Sequence, residues 1–259
     1  MFSPDERKRH FDTMVKRIES SKLVEGIVQI GSGVFGFSDE FSDIDFMVAT
    51  SNVNDAEPAK NILRQFFSEI NPAYIKEKQF SKDIFLLIVL LENNLEFNVS
   101  IVPREFLTVK SPLWKVIVDK TGFVTKKMKS ENQKFENNPV KYETDIDVPF
   151  EFVYCALSLH KALRRTNVIY ALKMLEKMRT YTLYLQAMNE NKKLHQFKAY
   201  DTLEPSFIKK YLTTYPENTN VRDLKDSAEN LIRLFTSVLH RSTIFSMDDA
   251  LQQLLNESI

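Results

Sequence analysis

Two aspartates with one isoleucine between them, Asp43-Ile44-Asp45, stand ten residues after the pair Gly31-Ser32. Side chains alternate faces along a strand, so Asp43 and Asp45 project together while Ile44 and Phe46 enter the core. Two carboxylates on one face repel each other, and a divalent cation is the natural neutraliser. All-oxygen ligands suit magnesium. Gly31 has no Cβ to hold a phosphate away from the backbone, and Ser32 adds a hydroxyl to the N–H groups of the turn. The spacing therefore sets a phosphate site beside a metal site.

The surrounding pattern supplies elements able to hold these groups. Leu23 to Ile30 is apolar, partly β-branched and ends at Gly31, as a strand leading into a phosphate loop should; the loop continues through Gly33-Val34-Phe35-Gly36-Phe37, and the next strand carries the aspartates. Ser3-Pro4-Asp5-Glu6 is a capping box with proline at the first helical position, followed by Phe11, Met14, Val15 and Ile18 at helical spacing. Ile62, Leu63, Phe66, Phe67 and Ile70 predict a second helix over 57–70. Ile84–Leu91 and Leu95–Val102 read as a hairpin about Glu92-Asn93-Asn94. In its second arm Leu95, Phe97, Val99 and Ile101 share one face, which leaves Glu96, Asn98 and Ser100 on the other. Glu96 is thus a candidate third carboxylate. Trp114–Val118 precedes Asp119-Lys120-Thr121-Gly122, a turn signal.

Ser130–Asp147 is polar and reads as a solvated linker, which divides the chain into domains 1–140 and 141–259. Beyond it the period is helical: Phe150, Val153, Tyr154 and Leu157 begin a first helix, and Ile169 to Leu185 a second. Glu204-Pro205 opens a third toward Leu212, and Val221–Leu239 and Met247–Leu255 are two more. Their aromatic and methionine stripes are expected in the core. The expected fold class is α+β, a mixed sheet with flanking helices, followed by an all-α helical bundle.

Of 259 residues 43% are hydrophobic, enough for a sizeable core, and 35 Lys plus Arg balance 35 Asp plus Glu. That balance gives no electrostatic basis for gripping a long nucleic acid or an anionic membrane. The lone cysteine, Cys155, lies in an apolar run and is expected to be a small buried hydrophobe, and the four histidines show no zinc-ligand spacing. The longest apolar run, Ile84–Leu91, is too short to span a bilayer and the amino terminus is no signal peptide, so a cytoplasmic location is expected.

Ile30-Gly31-Ser32, ten residues, then Asp43-Ile44-Asp45-Phe46 resembles the signature of the DNA polymerase beta-type nucleotidyltransferase superfamily. The sheet-then-helices plan is similar to its small-molecule members, the lincosamide and aminoglycoside antibiotic nucleotidyltransferases, as is the Asp119-Lys120-Thr121-Gly122 turn. The resemblance implies transfer of a nucleoside monophosphate from a triphosphate, ATP being expected, to a hydroxyl of a small molecule. Asp43 and Asp45 would hold Mg2+, with Glu96 as third metal ligand or as proton acceptor, and Gly31 and Ser32 would hold the triphosphate. Glu96-Phe97 looks like the third-acid element of the lincosamide type, whereas some aminoglycoside relatives place that acid five residues before the strand-ending proline, which here is Asn98; both registers stay open. Glu151 is a general-base candidate by analogy of position alone. From Ile146 to Ile259 there are 15 Lys/Arg and 13 Asp/Glu, an imbalance that favours a less charged acceptor over a polycation. A homodimer is admitted. The alternatives are a protein-modifying nucleotidyltransferase and a non-catalytic nucleotide-binding member of the fold.

Overall fold

The computed structural model describes residues 2–35, 39, 41–138, 142, 145–193 and 200–257. They divide into two compact units, Met1–Asn138 and Pro139–Ile259.

The first unit is built on one six-stranded sheet. Its strands are β1 Val24–Ile30, β2 Ile44–Thr50, β3 Tyr74–Ser81, β4 Ile84–Leu90, β5 Glu96–Pro103 and β6 Trp114–Asp119, in spatial order β3-β4-β5-β2-β1-β6. Only β2 and β5 pair in parallel; every other neighbour is antiparallel. The sheet is mixed, as expected. The β4–β5 hairpin forms, and its alternation is as read: Phe97, Val99 and Ile101 are fully buried while Glu96, Asn98 and Ser100 lie on the half-exposed face.

Helices α1 Pro4–Ser20 and α2 Ala56–Ser68 cover the apolar face. The capping box is present: Ser3 Oγ accepts from the Glu6 N–H at 3.2 Å, and the Ser3 N–H donates to Glu6 Oε2 at 2.7 Å. Met14 and Ile18 of α1 and Leu63 and Phe67 of α2 pack with Phe46, Phe97 and Val99 into one core. A smaller core, with Val28, Ala49, Val102 and Leu107, lies under α3 Phe123–Asn137.

Two expectations need correction here. Residues 130–137 are the second half of α3, held by Val124 and Met128 in the smaller core, so the polar stretch called a linker is partly helix. Strand β3 carried no sequence signal, because its side chains are mostly exposed and charged residues fall on both of its faces. Its pairing with β4 places it at the sheet edge, where exposed Lys76 and Lys78 suit an edge that must not pair further.

The second unit contains α4 Val148–Arg164, α5 Val168–Asn189, α6 Pro205–Leu212, α7 Val221–Leu239 and α8 Asp249–Asn256. The rings of Phe152 and Phe235 stack 3.7 Å apart between α4 and α7, in a core with Leu175, Met178, Leu231 and Val238. Cys155 is buried there, and burial raises its thiol pKa. The guanidinium of buried Arg179 binds Glu176 and the Thr214 carbonyl at 2.8 Å and lies 4.2 Å over the Tyr215 ring. It fixes α5 to the segment between α6 and α7. The expected stripe on α4 is rotated: Phe152, Val153, Ala156 and Leu159 form the core face, whereas Phe150 and Tyr154 are exposed and stacked on each other.

Candidate active site

At the end of β1 the chain must leave the sheet and pass close to β2, and Gly31 meets both demands. Its φ of 78° lies in the left-handed region, and a Cβ there would stand 2.5 Å from Asp45 Oδ2. The Asp45 carboxylate therefore rests directly against the Gly31 backbone. The Gly31 N–H donates to the Leu113 carbonyl at 3.1 Å, so this glycine supplies close approach, not a donor. Ser32–Phe35 then forms a single 3-10 turn. The first N–H groups of such a turn, here those of Ser32 and Gly33, have no acceptor within it. The remainder of the predicted loop, residues 36–37, lies outside the described residues.

Asp45 is the second residue of β2, and Asp43 lies one residue before the strand begins. In the parallel register of β2 and β5, Ile44 pairs with Phe97 and Asp45 with Asn98. The Asn98 amide, the register partner of Asp45, favours the ionised form of that carboxylate. Glu96, two residues earlier on the same face of β5, faces the pair as negative charge. Both positions that the sequence left open thus act on the aspartates in opposite senses: position 98 favours the charge on Asp45, and position 96 repels both.

The electrostatics follow. Desolvation first, then the Asp43 charge, pushes Asp45 up to about 6, against the Asn98 amide. Asp43 opens to solvent on one side, yet the protein wall behind it and the Glu96 charge raise it too. Neither carboxylate ionises without cost to the other, and a divalent cation between them removes that cost. Among the described residues no three His, Cys, Asp or Glu side chains converge to hold a metal by themselves. Magnesium does not require it: it commonly takes one or two carboxylates and completes its octahedron with water and substrate phosphates. The donor chemistry therefore fits Mg2+ brought with a nucleotide.

One site residue had no place in the sequence reading. Arg7 of α1 is 4% exposed, and its Nε donates to the Ser42 carbonyl at 2.8 Å while a terminal nitrogen donates to the Asp43 carbonyl. Burial lowers its pKa, opposed by the charges of Asp45, Asp39 and Asp43. The same guanidinium lies 3.2 Å from where a Cβ on Gly33 would stand. Positions 7, 11, 14 and 18 share one helical face, so the available signal was a charged residue on the apolar stripe of α1. Glu151, the analogy-based candidate, lies in the first turn of α4 in the second unit, where the Tyr181 hydroxyl donates to it at 3.4 Å.

The family model for streptomycin adenylyltransferase matches residues 6–244. Curated proteins yield no match. Among solved structures, an aminoglycoside 6-adenyltransferase from Bacillus subtilis is 13% identical with a TM-score of 0.41, covering 100% of this chain and 98% of that one. A nucleotidyltransferase-like protein from Exiguobacterium sibiricum 255-15 is 10% identical with a TM-score of 0.37, covering 91% and 76%. These two likenesses are distant, and the assignment rests on the family match over nearly the whole chain. No described helix is long and apolar enough to cross a membrane. With the Gly-Ser turn set against an aspartate pair, and that match spanning both units, the chain belongs to the streptomycin adenylyltransferase family, nucleotidyltransferases of the antibiotic-modifying kind.

Proposed function

We propose that this protein transfers a nucleoside monophosphate, from ATP in the first instance, to a hydroxyl of a small antibiotic-like molecule in a Mg2+-dependent reaction. The observation that carries the reading is the Asp45 carboxylate seated against Gly31, with Asp43 and Glu96 beside it. Residues 1–140 act as the catalytic domain and 141–259 as the acceptor-binding domain.

Asp43 and Asp45 hold the metal, and Asn98 orients Asp45 for that task. When bound, the metal neutralises the triphosphate and the leaving pyrophosphate. Ser32, through its N–H and hydroxyl, and Gly33, through its N–H, hold the triphosphate tail, and Gly31 lets it approach. Glu96 keeps the field at the acceptor side negative, which favours binding the cation and accepting the hydroxyl proton. The family's description names streptomycin, so hydroxylated antibiotics are the acceptor class to test first. The 15 Lys/Arg against 13 Asp/Glu from Ile146 onward favour the less cationic members of that class.

The test is a screen of nucleoside triphosphates against hydroxylated antibiotics with magnesium, read by pyrophosphate release and product mass. The expected result is an acceptor heavier by one nucleotidyl group, a nucleoside monophosphate less one water, with pyrophosphate released. A mass gain on a protein partner instead would replace this reading with protein modification. Nucleotide binding without pyrophosphate release would favour a non-catalytic member of the fold, a reading that Asn98 in the alternative third-acid register motivates.

A further inference from the structure

A buried guanidinium is an expensive occupant of an apolar helix stripe, where methionine or leucine would pack without loss of hydration. Arg7 occupies such a place, and its Nε and one terminal nitrogen are bonded to main-chain carbonyls. The charges of Asp45, Asp39 and Asp43 act on it through the field, while those two nitrogens bond the Ser42 and Asp43 carbonyls. The segment it grips is tied from the other side as well: Asp39 Oδ1 accepts from the Phe41 N–H at 3.1 Å and from the Ser42 hydroxyl. The main chain from which Asp43 projects, just ahead of β2, is thus clamped between α1 and its own loop.

We propose that Arg7 is a positioning residue: by spanning the Ser42 and Asp43 carbonyls it fixes the main chain at Asp43 and so sets where the carboxylate pair holds a divalent cation. The inference rests on the nucleotidyl-transfer reading. It separates geometry from charge, because the two act in opposite directions. Arg7 is a cation beside an anionic site, so if only its charge mattered, removing it would tighten metal binding and lysine would substitute fully. If its two-carbonyl clamp matters, removal loosens metal binding, and lysine, a point charge lacking the planar fork, fails as well.

The experiment compares the wild-type chain with Arg7→Lys and Arg7→Met. Mn2+ affinity in the presence of a non-hydrolysable ATP analogue is followed by electron paramagnetic resonance, with kcat and KM for ATP and a thermal unfolding curve for each protein. Both substitutions are expected to weaken Mn2+ binding about tenfold or more, the effect typical of removing a partner that orients a metal ligand. They should lower kcat more than they raise KM for ATP. Folded Arg7→Lys with wild-type Mn2+ affinity, or Arg7→Met with tighter affinity, overturns the inference. Should Arg7→Met fail to fold, the lysine variant alone decides. Wild type that binds Mn2+ and releases pyrophosphate, alongside variants that match it, sinks this inference only; wild type that does neither sinks the transfer reading and the inference with it.

Discussion

Asp45 carries the clearest physical signature of the site. Its folded pKa of about 6 lies above the ordinary aspartate value of about 4, so the folded state holds the proton more tightly than the unfolded chain. The contribution of Asp45 to the stability of the metal-free protein then falls as pH rises across that window and stays low above it. Asp45→Asn removes the burden: the metal-free variant should be more stable than wild type at pH 8, by ~1–3 kcal/mol, and the gap should close toward pH 4. Thermal or urea unfolding against pH checks this, and equal stability at both pH values would show that the carboxylate is not strained. The neighbours separate by the same logic. Glu96→Gln should lower the Asp45 pKa and Asn98→Ala should raise it, both readable by carboxyl NMR titration. If kcat fell only with the Asn98 change, the third-acid role would leave Glu96. At this scale the sequence proposed Gly31, Ser32, Asp43, Asp45 and Glu96 as candidates, and Arg7 was not among them. Within Glu6-Arg7-Lys8-Arg9 it reads as one more solvated charge, and its burial depends on carbonyls 35 and 36 residues away in the chain.

The elements that present these residues were largely legible, because each buries one face. The period-two alternation of β5 and the capped stripe of α1 have simple periods, and both formed where expected. What escaped had its cause in tertiary context. Strand β3 is held by hydrogen bonds to β4 and buries little, so its pattern says nothing. Helix α3 is anchored by only Val124 and Met128, too few for a period to stand out in a polar stretch. Phe150 and Tyr154 fit a helical period but sit off the buried face of α4. Two substitutions test how elements are held. Gly31→Ala combines a positive φ with a clash against Asp45 and should cost about 2–4 kcal/mol in unfolding experiments. Arg179→Met leaves the Thr214 carbonyl without its guanidinium donor and should cost about 1–3 kcal/mol. A change under half that in either variant would mean the local contact is replaceable.

The whole molecule combines a sheet unit that holds the carboxylates with a helical unit that has its own core, and the family match runs through both. The site chemistry is confined to the first unit, where strand register and one close glycine bring together charges that repel each other. On the proposed function, such a site is out of balance until a cation and a triphosphate arrive. That function is tested most directly by incubating the protein with Mg2+, ATP labelled at the α-phosphate and a panel of hydroxylated antibiotics of low and high positive charge, beside Asp45→Asn protein of confirmed fold. The expected result is label transferred to an acceptor by the wild type and none above background by the variant. Transfer by well-folded Asp45→Asn protein would contradict it.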